Sequence, residues 1–183
     1  MLIYIIYKEV ILILELDIKQ LHIPRWNELP NIELYLDQVV TLINSTLSSY
    51  IFFNSINEKK GESVLLSKTM INNYVKYNLI EAPIKKKYSK IQIAKVFVIC
   101  VLKQVFSMDE INKLINIALK ESDIITSYDS FCEQFEKALN CTFTKEDFID
   151  TYSSNNSNKY LLKSVLLSCS YKIYISYTLS KKK

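Results

Sequence analysis

Two neighbouring stretches hold residue types that could recognise a nucleic acid. The first is Lys68-Thr-Met-Ile-Asn-Asn-Tyr-Val-Lys76. At helical spacing it gathers Lys68, Thr69, Asn72, Asn73 and Lys76 on a polar side, while Ile71, Tyr74 and Leu79 look inward. An asparagine amide can read adenine through two hydrogen bonds in the major groove, so Asn72 and Asn73 are candidate base or phosphate contacts. The second stretch is Lys85-Lys86-Lys87, just after Pro83. Each lysine that neutralises a phosphate adds affinity that depends on salt and not on base sequence. Plainer explanations stand beside both patterns. Lysine runs are common on solvated faces, and a polar helix side is often only a wet one.

The charge distribution favours the binding explanation. The net charge is only +4, but it conceals a polarised chain. Between Glu58 and Lys103 there are ten lysines and three acids, a local surplus of +7. Residues 1–57 carry −3, and residues 104–183 are neutral. The surplus coincides with the two stretches, as expected of a phosphate-binding surface.

The elements that must position these residues are marked by local signals. Ser67 caps a helix, with Leu66 and Ile71 placed as its hydrophobic staple. Asn78 stands where a helix commonly ends in a left-handed residue, and Pro83 prevents continuation. Ser89 with Gln92 forms a capping box that opens the next helix, with Tyr88 and Ile93 as staple. That helix is apolar on every side from Val96 to Leu102, so it is expected at the centre of the core. Ser107 with Glu110 repeats the box, with Phe106 and Ile111 as staple, before a face of Ile111, Leu114, Ile115 and Ala118. The layout is a recognition helix at about 67–77, a basic wing at 83–88, and supporting helices.

Upstream, Ile23 to Pro30 reads as a loop with Trp26 between two prolines, stapling that loop to the first helix. Asn31 is a candidate N-cap with Glu33 in the first turn, and Leu36, Val39, Val40, Ile43 and Leu47 give a helix to about Ser49. The polar stretch 54–63, with the only glycine, Gly61, reads as an exposed loop. Downstream, helix starts are expected at Ser127 and Thr144, and a polar linker at 153–158. The tail from Lys159 fits helix or strand, with helix favoured. Met1 to Leu16 is apolar but interrupted by Lys8 and Glu9, and too short to span a membrane. It reads as a packed strand or helix, or as residues added by an upstream start codon.

Several chemistries find no footing. One glycine excludes the glycine-rich loops that cradle nucleotide phosphates. The lone His22 has no clustered ligands and reads as a surface histidine, so no metal or other cofactor is expected. Cys100, Cys132, Cys141 and Cys169 form no C-x-x-C pair and read as buried, reduced thiols of a cytoplasmic protein. No Ser-His-Asp or Cys-His set is present, and Asp109-Glu110 and Glu146-Asp147 are explained as helix-start acids, so no enzyme is expected.

The motifs I-P-x-W-x-E-L-P-x-I-x-L-Y-x-D-Q-V, K-T-M-I-N-N-Y-V-K and P-x-K-K-K-Y-S, in that order over about residues 21–120, resemble an uncharacterised bacterial domain-of-unknown-function family with a MerR-like winged helix-turn-helix. M-I-N-N-Y-V-K-Y-N-L-I resembles the MerR recognition helix, K-K-Y-S-K-I-Q-I-A its wing exit and next helix, and F-S-M-D-E-I-N-K-L-I the helix after that. The resemblance implies DNA contacts at Asn72, Asn73, Lys76, Lys86 and Lys87. Departures weigh on affinity more than on fold. Asn72 replaces the usual arginine, Asn78 the usual glycine, the wing is short, and an insertion separates the first helix from the recognition helix.

The expectation is a mainly α chain: an N-terminal apolar extension (1–22), a MerR-like winged helix-turn-helix domain (23–121) and a C-terminal helical extension (122–183). The function expected is that of a transcriptional regulator that binds double-stranded DNA, as a homodimer if its operator is two-fold symmetric, and without a membrane. The extension would dimerise or hold an effector among Phe131, Phe135, Phe143 and Phe148, aromatics that are otherwise plain core. The alternative is a protein-interaction module that keeps the fold without DNA, its lysines meeting an acidic partner and Trp26, Tyr35 and Asp37 forming a contact surface.

Overall fold

The computed structural model describes residues 21–48, 50–51, 65–148 and 157–180. The expectations for the apolar N-terminus up to residue 20 and for the loop at 54–63 lie outside these residues. Among the described residues there are six α-helices, one 3-10 turn (Trp26–Glu28) and two short strands. In chain order they are β1 (Leu34–Tyr35), α1 (Leu36–Leu47), α2 (Lys68–Lys76), β2 (Lys87–Tyr88), α3 (Lys90–Leu102), α4 (Met108–Glu121), α5 (Ile124–Thr144) and α6 (Ser157–Ser180).

Three serine caps act as their spacing predicts. Ser67 Oγ accepts the Met70 N–H at 3.3 Å to open α2. The Ser89 and Gln92 pair closes a reciprocal box, with the Ser89 N–H donating to Gln92 Oε1 at 2.7 Å. Ser107 and Glu110 do the same, the Ser107 N–H reaching Glu110 Oε2 at 2.8 Å. Each such cap is worth about 1 kcal/mol. The staple residues Leu66, Ile71, Tyr88, Ile93 and Ile111 are all buried.

α3 is central. Nine of its thirteen residues are buried, from Gln92 to Leu102, and it packs against α1, α5 and α6. α6 lies along α5, where the Phe143 ring meets Tyr174 edge-on at 5.2 Å and Tyr177 at 5.6 Å. The tail is helix as far as Ser180.

Four local expectations are corrected. Asn31 does not cap α1. The chain is still extended at Leu34–Tyr35, Tyr35 is the N-cap, and Asp37 is the first-turn acid in place of Glu33. The reason is tertiary: β1 pairs antiparallel with β2, Leu34 opposite Tyr88 and Tyr35 opposite Lys87, and this ladder overrides the earlier cap. Ser127 and Thr144 do not start helices but lie inside one. Asp123 caps α5, its Oδ1 accepting N–H bonds from Ile125 (2.9 Å) and Thr126 (3.1 Å). Thr144 ends that helix, and Lys145 at φ 61° turns the chain away. Of the expected linker, residues 157–158 belong to α6. Trp26 docks on α5, with its ring edge-on to Tyr128 at 6.4 Å and its backbone N–H donating to Asp129 Oδ1 at 2.6 Å.

The four cysteines are free and buried. Burial pushes the Cys132 and Cys169 thiols up to about 12, so they stay protonated and unreactive at neutral pH. No helix among the described residues is long and apolar enough to cross a membrane.

Candidate nucleic-acid interface

α2 is amphipathic in the expected sense. Ile71, Tyr74 and the following Leu79 are buried, while Lys68, Thr69, Asn72, Asn73 and Lys76 are all exposed. The helix stops as Asn78 takes φ 55°. The Leu79 N–H then reaches the Tyr74 carbonyl (2.9 Å) and the Asn78 N–H reaches Val75 (3.0 Å). This is a Schellman close, in which the last carbonyls of the helix are satisfied and Leu79 packs under it. Asparagine thus fills the left-handed position without glycine.

The triple lysine forms the tip of a hairpin. Ile84 and Lys87 exchange both backbone hydrogen bonds, at 3.1 and 2.9 Å. Between them Lys85 and Lys86 sit at φ 49° and 66°. Two consecutive left-handed residues define a type I′ turn, for which Asn-Gly is the usual choice. A residue with a Cβ pays about 1–2 kcal/mol in that region. The tip therefore holds two exposed ammonium groups at a conformational cost. Such strain is worth noting where a charge is also concentrated.

The two parts converge on the start of α1. The Asp37 carboxylate is ion-paired with Lys68. The ring of Tyr35, two residues earlier, lies 5.3 Å under the Lys87 ammonium. The N-terminus of α2 and the base of the wing are thereby held side by side by neighbouring residues. The Lys68–Asp37 pair is exposed on both sides, so it contributes little to stability, and it partly neutralises Lys68.

Not every lysine of the basic segment faces this surface freely. Lys90 donates to Asn31 Oδ1 at 2.7 Å and lies 5.5 Å over the Trp26 ring. Lys95 is bonded to Glu81 at 2.6 Å. Burial is the largest single influence on the Glu81 carboxyl and pushes it up, but the Lys95 hydrogen bond, a backbone hydrogen bond and the Lys95 charge together hold it below the ordinary carboxylate range. Lys76, Lys85 and Lys86 remain the exposed cations best placed for phosphate.

Sequence reasoning did not assign Ile84 (70 % exposed) or Tyr77 (55 %) to this surface, and it placed Tyr35 (53 %) only in the protein-contact alternative. An apolar residue beside a turn, or at a helix end, carries no pattern that marks it as exposed. His22 is a loop histidine, bonded through Nε2 to Glu28 at 2.7 Å. No group of three or more His, Cys, Asp or Glu residues able to hold a metal ion occurs among the described residues.

The family model of a domain of unknown function, DUF1836, matches residues 24–135. The chain belongs to the DUF1836 family. The matched span runs from the loop before Trp26, through α2 and the wing, and into α5, so the DUF1836 region contains the whole candidate interface. No curated protein and no solved structure matches the chain.

Proposed function

We propose that this DUF1836 protein is a cytoplasmic transcriptional regulator that binds double-stranded DNA through a MerR-like winged helix-turn-helix. In this reading α2 is the recognition helix and the Ile84–Lys87 hairpin is the wing. The observation that carries it is the pinning of Lys68 by Asp37 and of Lys87 by Tyr35, two residues apart. That arrangement presents an Asn72/Asn73 face and a lysine tip together. Asn72 and Asn73 read or position bases, while Lys68, Thr69, Lys76, Lys85, Lys86 and Lys87 meet phosphates. A homodimer follows if the operator is two-fold symmetric.

Anisotropy with a pool of labelled duplexes, from low to physiological salt, tests this reading. The affinity is expected to fall steeply with salt, and Lys85/Lys86/Lys87→Ala to reduce the slope by about three. Asn72→Ala with Asn73→Ala is expected to flatten sequence preference while leaving the salt slope intact. Binding that ignores both salt and the lysines would sink the proposal.

One observation favours a second reading, a protein-interaction module without DNA. Ile32 and Ile84, both 70 % exposed, and Tyr35 add apolar surface beside the wing, which a phosphate backbone does not use. An acidic partner protein would use it. Under that reading Ile84→Ser weakens partner binding and DNA binding is absent at every salt concentration.

A further inference from the structure

Helices α3, α4, α5 and α6 border a partly open cavity of about 440 Å³. Pockets that take small organic ligands span roughly 300–1,000 Å³, so its size is adequate. The wall is mostly apolar, with Val98, Leu102, Leu114, Phe131, Leu162 and Leu166 contributing from all four helices. Phe148 also lines it. Of the other two aromatics considered for an effector, Phe135 is fully buried and stacks on Phe131, and Phe143 packs on α6.

One polar group sets this cavity apart from a packing gap. Gln134 lines it and is only 7 % exposed, yet its Oε1 has no hydrogen-bond partner among the described residues. The other buried polar atoms without such a partner belong to Tyr74 and Asn140, and neither residue lines the cavity. A buried acceptor left without a donor is costly, and a ligand N–H or O–H would remove that cost. The terminal torsion of a glutamine is soft, so the amide can turn its oxygen toward such a donor without moving the helix.

The remaining polar side chains of the wall are engaged within the protein. Ser122 and Ser127 share a hydrogen bond at 2.7 Å, and the Tyr128 hydroxyl donates to the Pro24 carbonyl at 2.8 Å. The Thr126 hydroxyl donates to Asp123, Lys95 to Glu81 and the Asn158 amide to Glu121. Lys163 lies 5.4 Å over the Phe148 ring, and Ser130 and Lys159 are engaged as well. An ion entering here would have to break one of these contacts or lie unpaired against apolar side chains, which is costly. A neutral donor needs only Gln134.

We infer that this cavity binds a neutral, mainly apolar small molecule that carries one hydroxyl or N–H donor. The apolar body fills the space among the four helices, and the donor meets Gln134 Oε1. The site does not rest on the DNA-binding reading, and its occupancy is measured without DNA.

The test titrates the full chain by calorimetry with para-butylphenol, its donorless methyl ether para-butylanisole, and the anion para-butylbenzoate. Saturable binding of the phenol is expected, tighter than the ether and the benzoate by about threefold or more. Gln134→Met keeps an unbranched side chain and removes the acceptor, so the preference over the ether is expected to vanish. In the parent protein, nuclear Overhauser effects from the butyl chain to the Phe131 or Phe148 rings are expected. Absence of saturable phenol binding overturns the site, as do Overhauser effects confined to other rings. Equal or tighter binding of the ether or the benzoate, or a preference retained in folded Gln134→Met, overturns it too. The measurements on the parent protein decide the matter even where the variant does not fold.

Discussion

The guanidinium of Arg25 grips the carboxylate of Glu136 through both nitrogens across 111 positions of sequence, one of the two bonds at 2.8 Å. The same carboxylate accepts the Ile23 N–H at 2.6 Å, and the Tyr128 hydroxyl donates to the Pro24 carbonyl at 2.8 Å. The loop ahead of the candidate interface is thus fastened to α5. Both side chains are mostly buried, so removing one partner leaves a charge that its remaining bonds, to the Ile23 backbone, satisfy only in part.

Arg25→Ala is therefore expected to destabilise the protein by about 1–3 kcal/mol in urea unfolding. Arg25→Ala paired with Glu136→Gln should cost less than the sum of the single changes. Additive losses in that double-mutant cycle would show the two residues to be uncoupled.

The wing turn sets stability against binding. Replacing Lys85 and Lys86 with Asn and Gly supplies the residues a type I′ turn favours, and should stabilise the fold by about 1–2 kcal/mol. The same change removes two cations from the tip, so the salt slope of DNA binding should fall by about two. A variant that is less stable than the parent would contradict the left-handed geometry read at these lysines.

Tyr74 is buried, and its hydroxyl has no hydrogen-bond partner among the described residues. Burial pushes this phenol well above its ordinary value, so it stays protonated. Tyr74→Phe removes an unsatisfied polar group without opening a cavity. The expected result is an unchanged or higher melting temperature, with a gain of up to about 1 kcal/mol. A clear loss would show that the hydroxyl has a partner.

Glu28, Glu81, Glu110 and Asp123 are held below the ordinary carboxylate range, and the last three show how this ties stability to pH. The Thr126 hydroxyl and N–H hold Asp123 below the ordinary carboxylate range, and the Ser107 hydroxyl and N–H do so for Glu110. For Glu81 burial raises the value, but the Lys95 hydrogen bond, a backbone hydrogen bond and the Lys95 charge together outweigh it. Folded values lower than unfolded ones mean that these contributions are complete above the unfolded values, about pH 4, and are lost as acid carries pH down through the folded ones. Thermal melts should show no loss from these groups between about pH 5 and 8, and a decline below about 4. Asp123→Asn keeps a capping side chain but cannot titrate, and should make that decline shallower. An unchanged acid profile in Asp123→Asn would rule the cap out as a contributor.

Much of the candidate site was legible because its signals are local. Ser67, Ser89 and Ser107 cap their helices by bonds that reach only three residues. Asn78 ends α2 through its own backbone angle. The inward and outward sides of α2 follow from helical period alone. The α5 start at Asp123 was within reach of the same reasoning, but Ser127 offered a competing cap. What separates them is that the Ser127 hydroxyl is committed to the Ala118 and Ser122 carbonyls.

By itself, then, the sequence determined a chain of capped helices, a buried α3, a polar α2 face and the clustering of lysines beside it. Only the tertiary structure decided that Tyr35 pairs with Lys87 and so delays α1, that Trp26 seats on α5, and that Gln134 lines a cavity with its side-chain carbonyl oxygen unpaired among the described residues. The physical reason is range. Caps and helix periods are settled by atoms a few residues apart, whereas a ladder over some fifty positions, a clamp over a hundred and a four-helix cavity exist only after the whole chain has packed.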